Sequence, residues 1–594
     1  MYFYGLPRKS CKELNIEKIK NKNIFLEIIE ENERKKYYKK SEIAPWNCFY
    51  SPCASVYHGF MSLRLRQTFQ LCVIAALAGC QSAWKTTLLM PPPPTAIAVT
   101  NDKINESLLK AGKNQWQIER FLNDAAESKD DEKLAAARWL VANMVGQGFA
   151  RYELVTKDMK PIPFDAVSCE SLAAAQAILA QLEKQHGELD FKVTQFIEDL
   201  SVAQAEFLTT NLELSLKAWR TNPWCKNISF QTYCERILPY RGTNEPLCSW
   251  RGDVLARLEP LREHWISENS PPQSVGQSAM SAATAWVAFK DIYYMHPQDQ
   301  GWSEMCQTKA GRCEDISNVT TYALHAAGVA AASDYVPAWA DRDNNHTWDV
   351  LLDGNGKGSA GLFNRTLKVY RKNFSPQPDS LGSARAKDEP AAPGWLRGDT
   401  YSDVTEQYGD TVELDRTLEA APSGHRFAYL CVFNGGDWTP LAWTQVEKDG
   451  KVRFTKLRAN VLALPAYFVD GKVKPAGPPV LVRDKSEHSW LDGAAVPAEK
   501  KEIEIEIAAV RPDTPDHDTL VTRPRLPVKA GAEYTLHSWS DGAWKEVGKA
   551  AAPEDGSAVA FAHVPANELL WLTTPDGKKL ERPFTVENGK QVFW

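Results

Sequence analysis

The spacing of apolar residues divides the chain into a helical first half and a β-rich second half. From about residue 101 to 290, apolar residues recur three and four positions apart, as in KLAAARWLVANMVGQG and SLAAAQAILAQLEKQHG. Both stretches end on glycine, and this combination is typical of amphipathic helices. The pattern therefore predicts a helical region over residues 101–290.

The apolar period changes beyond residues 381–400, a Gly-, Pro- and Ala-rich stretch that we interpret as a linker. Short runs such as FAYLCVF and EIEIEIAAV then alternate or cluster apolar residues between turn-forming residues, which predicts strands. Six residues recur in the same order about 105 to 107 positions later. The two sets are Trp438, Phe454, Asn460, Asp470, Gly471 and Pro478, and Trp544, Phe561, Asn567, Asp576, Gly577 and Pro583. This repeat predicts two related β-sandwich domains, at 401–500 and 501–594.

Residues 291–380 mix both periods and predict an α+β core between these regions. Apolar residues from 316 to 327 share one helical face, so a helix is expected to begin near Cys313 and to end at Gly328. Residues 329–340 and the segment HTWDVLLD predict two strands, with a turn at 354–356. The fold class expected for the whole chain is multidomain α+β.

Cys313 and His346 are the residues in this core that suggest chemistry. A cysteine in the first turn of a helix lies at the positive end of the helix dipole, which stabilises its thiolate. A thiolate nucleophile also needs a base within hydrogen-bond reach, and the base needs a third group to orient it. His346, at the start of a strand, is the expected base. Whether Asp315 caps or disturbs the helix start stays open at this point.

The segments GRCEDIS and NHTW, about 33 residues apart, resemble the transglutaminase-like superfamily, whose core is related to papain-like proteases. The resemblance implies a papain-like α+β core with Cys313 as the nucleophile and His346 as the base. Upstream, FQTYCERILPYRGTNEPLCSWR resembles a segment found in predicted bacterial lipoproteins with such domains. Its polar residues are either structural or substrate-facing, and we favour a structural role.

The third catalytic residue departs from the family pattern. The family usually has an Asp on the strand after the histidine strand, whereas GKGSAGLFNRTLKVY contains none. If a hairpin turn centres on Asn355, Asn364 lies opposite His346, and its amide is the expected orienting group. Asp349 and Asp353 are the nearby acids, but they share the strand of the base and are expected to point elsewhere.

Two groups are candidates for the oxyanion hole. The backbone N–H of Cys313 is the default donor at a helix start. Gln307 lies six residues before the nucleophile, a spacing that matches the oxyanion glutamine of papain-like enzymes. The alternative for Gln307 is a solvent-facing polar residue.

The chain also contains a secretion signal, followed by an expected lipid anchor. MSLRLRQTFQLCVIAALAGCQS combines a basic head with a short apolar run that is too short to span a bilayer. Its end, LAGC, resembles the lipobox of bacterial lipoproteins, which implies lipidation of Cys80 and, with Gln81 next, the outer membrane. We expect translation to start at Met61, residues 1–60 to be a mis-assigned extension, 61–79 to be the signal peptide and 80–100 a tether containing PPPP.

Composition narrows the class of function. At 594 residues, with 43% hydrophobic and 24% charged residues, the chain is expected to fold as several packed domains. The formal net charge of −6 argues against nucleic-acid binding. The seven cysteines after Cys80 are odd in number and scattered, so no disulfide framework is expected. No zinc, ATP or dinucleotide motif is present, and neither a cofactor nor a metal is expected.

These features together predict a cysteine hydrolase that cleaves amide bonds through a thioester intermediate. The expected substrate is a peptide, a protein or cell-envelope material such as cell-wall glycan, and the membrane is contacted through the lipid anchor. Protein-glutamine crosslinking by transfer to an amine uses the same intermediate and remains an alternative. A second alternative is an inactive surface protein that binds ligands through its β-sandwich domains.

Overall fold

The computed structural model describes residues 99–594, except for 362–364, 485–486, 493–500, 516–521, 524 and 574–581. The fold is mixed α+β, with helices concentrated in the first half and strands in the second. The expected signal peptide, Cys80, nearly all of the expected tether, and Asn364 lie outside the described residues. Within the described ranges, no helix has both the length and the apolar character that crossing a membrane requires.

The first half of the described chain is built mainly from helices, in agreement with its apolar period. They are α1 (Asn101–Ala111), α2 (Gln115–Glu127), α3 (Asp131–Ala142), α4 (Leu172–His186), α5 (Ala205–Thr221), α6 (Phe230–Arg236), α7 (Arg251–Ser267) and α8 (Pro272–Thr284). The two stretches chosen from sequence correspond to α3 and α4. Helix α4 ends at Gly187, whose φ of 83° places it in the left-handed region that glycine tolerates.

A pair of antiparallel strands interrupts this helical region. The sequence pattern did not predict these strands. Strand β1 (Gly148–Thr156) pairs antiparallel with β2 (Leu189–Glu198), and α4 lies between them in sequence. Leu154 faces Phe191 across the ladder. The segments that form the strands, RYELVT and DFKVTQFIE, are rich in β-branched and aromatic residues, which favour extended backbone.

The central layer combines one buried helix with a four-stranded sheet. Helix α10 (Cys313–Ala327) packs against α7, α8 and the first two strands of the sheet. The elements of this region are β3 (Ala288–Phe289), α9 (Trp302–Thr308), β4 (Ala310–Gly311), α10, β5 (Ala331–Val336), β6 (His346–Leu351), β7 (Tyr370–Lys372) and β8 (Tyr401–Asp403). The sheet order is β6-β5-β7-β8, with antiparallel neighbours. The predicted helix start at Cys313, its end at Gly328 and both predicted strands are confirmed.

Arg251, a polar residue just upstream of this core, has a structural role. Arg251, with 3% of its surface exposed, donates hydrogen bonds to the carbonyl oxygens of 237–239, to that of His325 and to Asn211 Oδ1. Since each carbonyl would otherwise be buried without a donor, Arg251 stabilises the turn between α6 and α7.

Residues 381–400 are packed rather than an extended linker. The segment contains a short helix, α11 (Leu381–Ala384), and Tyr401 Oη accepts a hydrogen bond of 2.9 Å from the backbone N–H of Leu381. Leu381, Ala392 and Leu396 are at most 1% exposed and belong to the same apolar core as the strands that follow. Burial of these apolar side chains outweighs the turn-forming composition that suggested a linker.

The two sequence repeats share one strand order. The first forms a sheet ordered β11-β10-β13-β15-β16 and a ladder between β9 and β12; the second forms a sheet ordered β23-β22-β25-β26-β27 and a ladder between β17 and β24. The strands of the first repeat are β9 (Val412–Thr417), β10 (Phe427–Asn434), β11 (Asp437–Gln445), β12 (Lys451–Leu457), β13 (Val461–Val469), β14 (Lys472–Pro475), β15 (Val480–Val482) and β16 (Ser489–Trp490). Those of the second are β17 (Glu502–Ile507), β18 (Ala509–Arg511), β19 (Thr514–Pro515), β20 (Thr522–Arg523), β21 (Leu526–Pro527), β22 (Glu533–Ser540), β23 (Ala543–Ala551), β24 (Val559–Pro565), β25 (Leu570–Thr573), β26 (Phe584–Glu587) and β27 (Lys590–Phe593).

Aromatic residues pack between the two repeats. The ring centroids of Trp438, in the first repeat, and Trp539, in the second, are 5.4 Å apart. Those of Phe433 and Trp571 are 5.5 Å apart, and both pairs pack edge to face. Edge-to-face contacts of this kind stabilise aromatic clusters beyond the area that they bury. The repeated tryptophan at position 438 therefore contributes to a shared core.

Candidate active site

Cys313 and His346 line one cavity. The cavity has a volume of about 440 Å³ and lies between α8, α10 and β6. Cys313 is the first residue of α10, and His346 is the first residue of β6. Two residues 33 positions apart in the chain thus line the same cavity.

The start of α10 is fixed by Asp315. Its Oδ2 accepts a hydrogen bond of 3.0 Å from the backbone N–H of Arg312, and its Oδ1 accepts one of 2.8 Å from the N–H of Gln300. Asp315 is 1% exposed, and burial raises its pKa to about 6. The question left open by the sequence is therefore answered: Asp315 caps the helix that begins at Cys313.

Cys313 itself is buried and has charged neighbours. Its Sγ donates a hydrogen bond of 3.1 Å to Glu314 Oε2, and that carboxylate lies 3.2 Å from the guanidinium of Arg312. Arg312 also pairs with Asp299 at 2.7 Å. As the first helical residue, Cys313 contributes a backbone N–H from the turn whose amides have no carbonyl partner within the helix.

His346 is packed between two tryptophans. The ring centroid of Trp339 lies 6.0 Å from the imidazole and that of Trp348 lies 5.5 Å from it, both inclined by 27°. Stacking on two sides restricts rotation of the ring about its side-chain bonds. The histidine is thus held by apolar contacts in addition to its position on β6.

Trp348 is fixed in turn by a hydrogen-bond chain. Its Nε1 donates to Tyr408 Oη at 2.9 Å, and Tyr408 Oη donates to Asp334 Oδ2 at 2.6 Å. Asp334 is fully buried and forms a bidentate pair with Arg371 at 2.7 and 2.8 Å. A buried, fully paired network of this kind gives the stacked tryptophan a single position.

The loop before His346 is held by a turn of the first β repeat. Asn434, at the end of β10, has its Nδ2 within 3.0 Å of the carbonyl oxygens of Trp339, Arg342 and Asn344. Its Oδ1 accepts a hydrogen bond of 3.2 Å from the N–H of Asn344. Next to it, the N–H of Gly435 donates to Asp343 Oδ1 at 2.8 Å. One side chain therefore fixes most of the loop that leads into the histidine.

The second β repeat reaches the same loop through Arg582. This buried guanidinium donates hydrogen bonds of 2.6 Å to three carbonyl oxygens, those of Ala340, Phe433 and Trp594. It also lies 3.6 Å from Asp343. Arg582 thus connects the loop, the first repeat and the last residue of the chain.

Comparisons with known proteins assign no family to this site. No protein-family model and no curated protein matches the chain. What the site does is therefore inferred from its residues and their geometry.

The third catalytic residue is not established by these contacts. Asn364 lies outside the described residues, although Ala360 and Gly361, just before it, line the cavity of Cys313. Among the described residues, β6 pairs with β5 alone. Just after the turn, Gly358 lies against the backbone of β6, where a Cβ atom would come within 2.2 Å of the carbonyl oxygen of Leu351.

Asp349 also lines the cavity, but its hydrogen bonds point to other partners. Its Oδ1 accepts hydrogen bonds from Thr321 at 2.7 Å and from Ser333 at 3.4 Å. Burial raises its pKa to about 7. The sequence predicted that Asp349 points away from the site, whereas it lines the cavity while its Oδ1 bonds to Thr321 of α10 and Ser333 of β5.

Gln307 is not brought to the cavity. Its side chain is exposed on α9 and is not among the residues that line the site. The buried glutamine of this region is Gln300, whose Nε2 donates to the carbonyl of Ala310 at 2.9 Å and to Asp315 Oδ2 at 3.2 Å. On this short helix Trp302 and Met305 are the buried residues, and Gln307 lies on the exposed face. The backbone N–H of Cys313 remains the candidate oxyanion donor.

The sequence patterns did not identify Trp339, Asn434 and Arg582. Trp339 lies seven residues before His346, and its proximity in sequence was a usable signal. Asn434 and Arg582 lie so far away in sequence that only the tertiary structure identifies them. No disulfide links the cysteines of the described ranges, and none of the described His, Cys, Asp and Glu side chains forms a group of three that could hold a metal ion.

Proposed function

We propose that this protein is a transglutaminase-like cysteine hydrolase that cleaves amide bonds. The observation that carries the proposal is that Cys313, at a capped helix start, and His346, at a strand start, line the same cavity. A thiol and an imidazole in one cavity provide the nucleophile and the proton carrier that acyl transfer needs.

The proposed reaction has two steps. In the first, the Cys313 thiolate attacks the amide carbonyl carbon, the C–N bond breaks, and protonated His346 gives its proton to the departing amine. In the second, His346 takes a proton from water, the resulting hydroxide attacks the thioester carbonyl, and the C–S bond breaks to release a carboxylic acid. The backbone N–H of Cys313 would stabilise the oxyanion of both tetrahedral intermediates.

The finer architecture belongs to the same proposal. We assign a papain-like core to residues 291–380, a helical region before it, and two β-sandwich domains after it. The lipobox-like LAGC sequence supports lipidation of Cys80 and a position at the bacterial outer membrane. Peptides or cell-envelope material would then be the substrates within reach.

A binding protein that acts through its β repeats is less well supported. Within the described residues from 401 onward every tryptophan is buried or half-buried. Trp438, Trp539 and Trp594 are only 4 to 6% exposed. These side chains serve packing, so they leave little aromatic surface for stacking on a glycan.

The proposal is tested by incubating the purified protein with peptides and with cell-wall fragments, with and without an amine acceptor. Release of a new carboxylate that is lost in Cys313→Ala and kept in Cys306→Ala is the expected result. Cys306 is the matched control, because it lies on α9 outside the cavity. Products that contain the added amine would indicate transfer. Activity that survives in Cys313→Ala would contradict the proposal.

A further inference from the structure

The cavity beside Cys313 is walled by large apolar side chains. Met280, Phe289 and Ile316 form one side, and Trp339 and Trp348 form the side next to His346. Four of them, all except Trp339, are only half-buried in the chain itself. Part of their apolar surface therefore stays in contact with solvent until a ligand covers it, and covering it is favourable.

The charges around this cavity are few and already satisfied. None of the described residues that line it is Lys or Arg, and Asp349 is its one carboxylate. Asp349 accepts hydrogen bonds from Thr321 and Ser333, which draw it toward the protein interior. An acidic group that enters would lose its hydration without meeting a Lys or Arg side chain, and a basic group would meet only Asp349, whose Oδ1 already accepts two hydrogen bonds.

A second cavity, of about 340 Å³, lies on another side of the nucleophile and has the opposite character. It is lined by Arg312 and Glu314, the two residues that flank Cys313 in sequence, and by Asp299 and Lys372. The polar parts of a substrate thus have a separate place to bind. Cys313 lies between an apolar and a charged environment.

From these observations we propose that the cavity shared by Cys313 and His346 binds an uncharged, apolar group next to the scissile carbonyl. An aromatic or branched aliphatic side chain has the chemistry that fits it, and acidic or basic side chains are rejected. The inference rests on the proposed function, because it assigns the cavity to the substrate of Cys313.

The test uses chloroacetamides that alkylate Cys313 and does not depend on turnover. Three reagents share an N-benzyl scaffold and carry at the para position a methyl, a carboxylate or an aminomethyl group. Labelling of Cys313 at pH 7 is followed by peptide mass spectrometry in the full chain. We expect the methyl reagent to label at least about tenfold faster than either charged reagent, in line with the discrimination that pockets achieve.

Variants of the cavity wall assign the preference to this site. Phe289→Ala should reduce the advantage of the methyl reagent, and Phe289→Asp should shift the preference toward the aminomethyl reagent. Phe196→Ala is the matched control, since Phe196 is 52% exposed on β2 and does not line the cavity. It should behave as the wild type.

The outcomes separate the two proposals. Equal rates for the three reagents, a faster charged reagent in the wild type, or no labelling of Cys313 would overturn the inference. Retained preference for the methyl reagent, together with no amide hydrolysis of N-acetyl-phenylalanine 4-nitroanilide or of any peptide, would support the apolar site and refute the hydrolase.

Discussion

The two sides of the candidate active site are held in different ways. The cysteine side is local in sequence: Asp315 caps α10 through Arg312, three residues away, and through Gln300, fifteen residues away. The histidine side is not, because its loop is held by Asn434, 90 residues beyond Asn344, and by Arg582, 242 residues beyond Ala340. The helix start that carries Cys313 is thus positioned within one segment, whereas the loop before His346 depends on contacts with both β repeats.

The two β repeats sharpen this contrast. Asn434 and Ser540 occupy equivalent positions. Each is the last residue before a two-residue hairpin turn, and each pairs with the first residue after that turn, Asp437 and Ala543 respectively. Only the first repeat places this residue against the histidine loop; the equivalent turn of the second lies near Pro475, next to Gly542. The second repeat has the same strand order with Ser540 at this position, so the fold of a repeat does not require an asparagine there. We therefore attribute the role of Asn434 to its contacts with the loop before His346.

Loss of Arg582 should have the largest effect on the histidine side. In Arg582→Ala, three buried carbonyls lose their donor, and we expect the free energy of unfolding to fall by about 3 kcal/mol. Hydrogen exchange of residues 339–345 should accelerate, while exchange at the start of α10 stays unchanged. Equal acceleration on both sides would remove the distinction between them. Arg582→Lys, which keeps the charge, should restore part of the stability.

The cysteine side should respond to Asp315. Asp315→Ala leaves the buried N–H groups of Gln300 and Arg312 without their acceptor, which should cost about 2 kcal/mol of unfolding free energy. Exchange should then increase near residue 313 and not in the loop at 339–345. Denaturant unfolding and hydrogen exchange together check this result. An unchanged start of α10 would show that the cap is not what holds it.

Asn434→Ala should reduce activity more than stability. Without its amide, the loop before His346 loses four hydrogen bonds, and a histidine held less firmly should hydrolyse substrate about tenfold more slowly. The change should appear in kcat more than in KM. Ser540→Ala, at the equivalent position of the second repeat, is the control and should leave kcat unchanged. The same loss in both variants would show a general effect of the hairpins.

Asp349 lies on β6 and accepts a hydrogen bond from Thr321 of α10, so it connects the two sides. Its titration should make the free energy of unfolding depend on pH, with a smaller effect than the changes above. Burial raises its pKa to about 7, so the folded state holds a proton that the unfolded state has released. Its stabilising contribution is complete below the pKa of the unfolded state and is lost as the pH rises toward 7. From pH 6 to pH 7 the wild type should therefore lose about 1 kcal/mol more unfolding free energy than Asp349→Asn. Asp379→Asn, an exposed control, should retain the pH dependence of the wild type in urea unfolding.

The sequence predicted those parts of the site that depend on local patterns. The helix from Cys313 to Gly328 follows from its apolar period and terminal glycine, and β6 follows from the alternation after His346. The repeat of Trp438 as Trp544 corresponds to a repeated strand order. Each of these features is encoded within one element or by recurrence of one segment.

The rest depended on contacts that no local pattern encodes. The sequence did not predict the strand pair β1 and β2, because the helical period of α4, which lies between the two strands, dominates the pattern there. Gln307 matched a spacing, but it lies on the exposed face of α9. Residues 381–400 had the composition of a linker, yet Leu381, Ala392 and Leu396 are buried against the first β repeat. In this last segment, tertiary burial overrides composition.

The most direct test of the central claim is the pH dependence of Cys313 alkylation by iodoacetamide, measured by mass spectrometry in the wild type and in His346→Gln. If the two residues act as a nucleophile and its base, the wild type should react rapidly at neutral pH. The variant should react about a hundredfold more slowly at pH 7 and recover only in alkaline solution. Identical rates and pH profiles for the two proteins would contradict the pairing of Cys313 with His346.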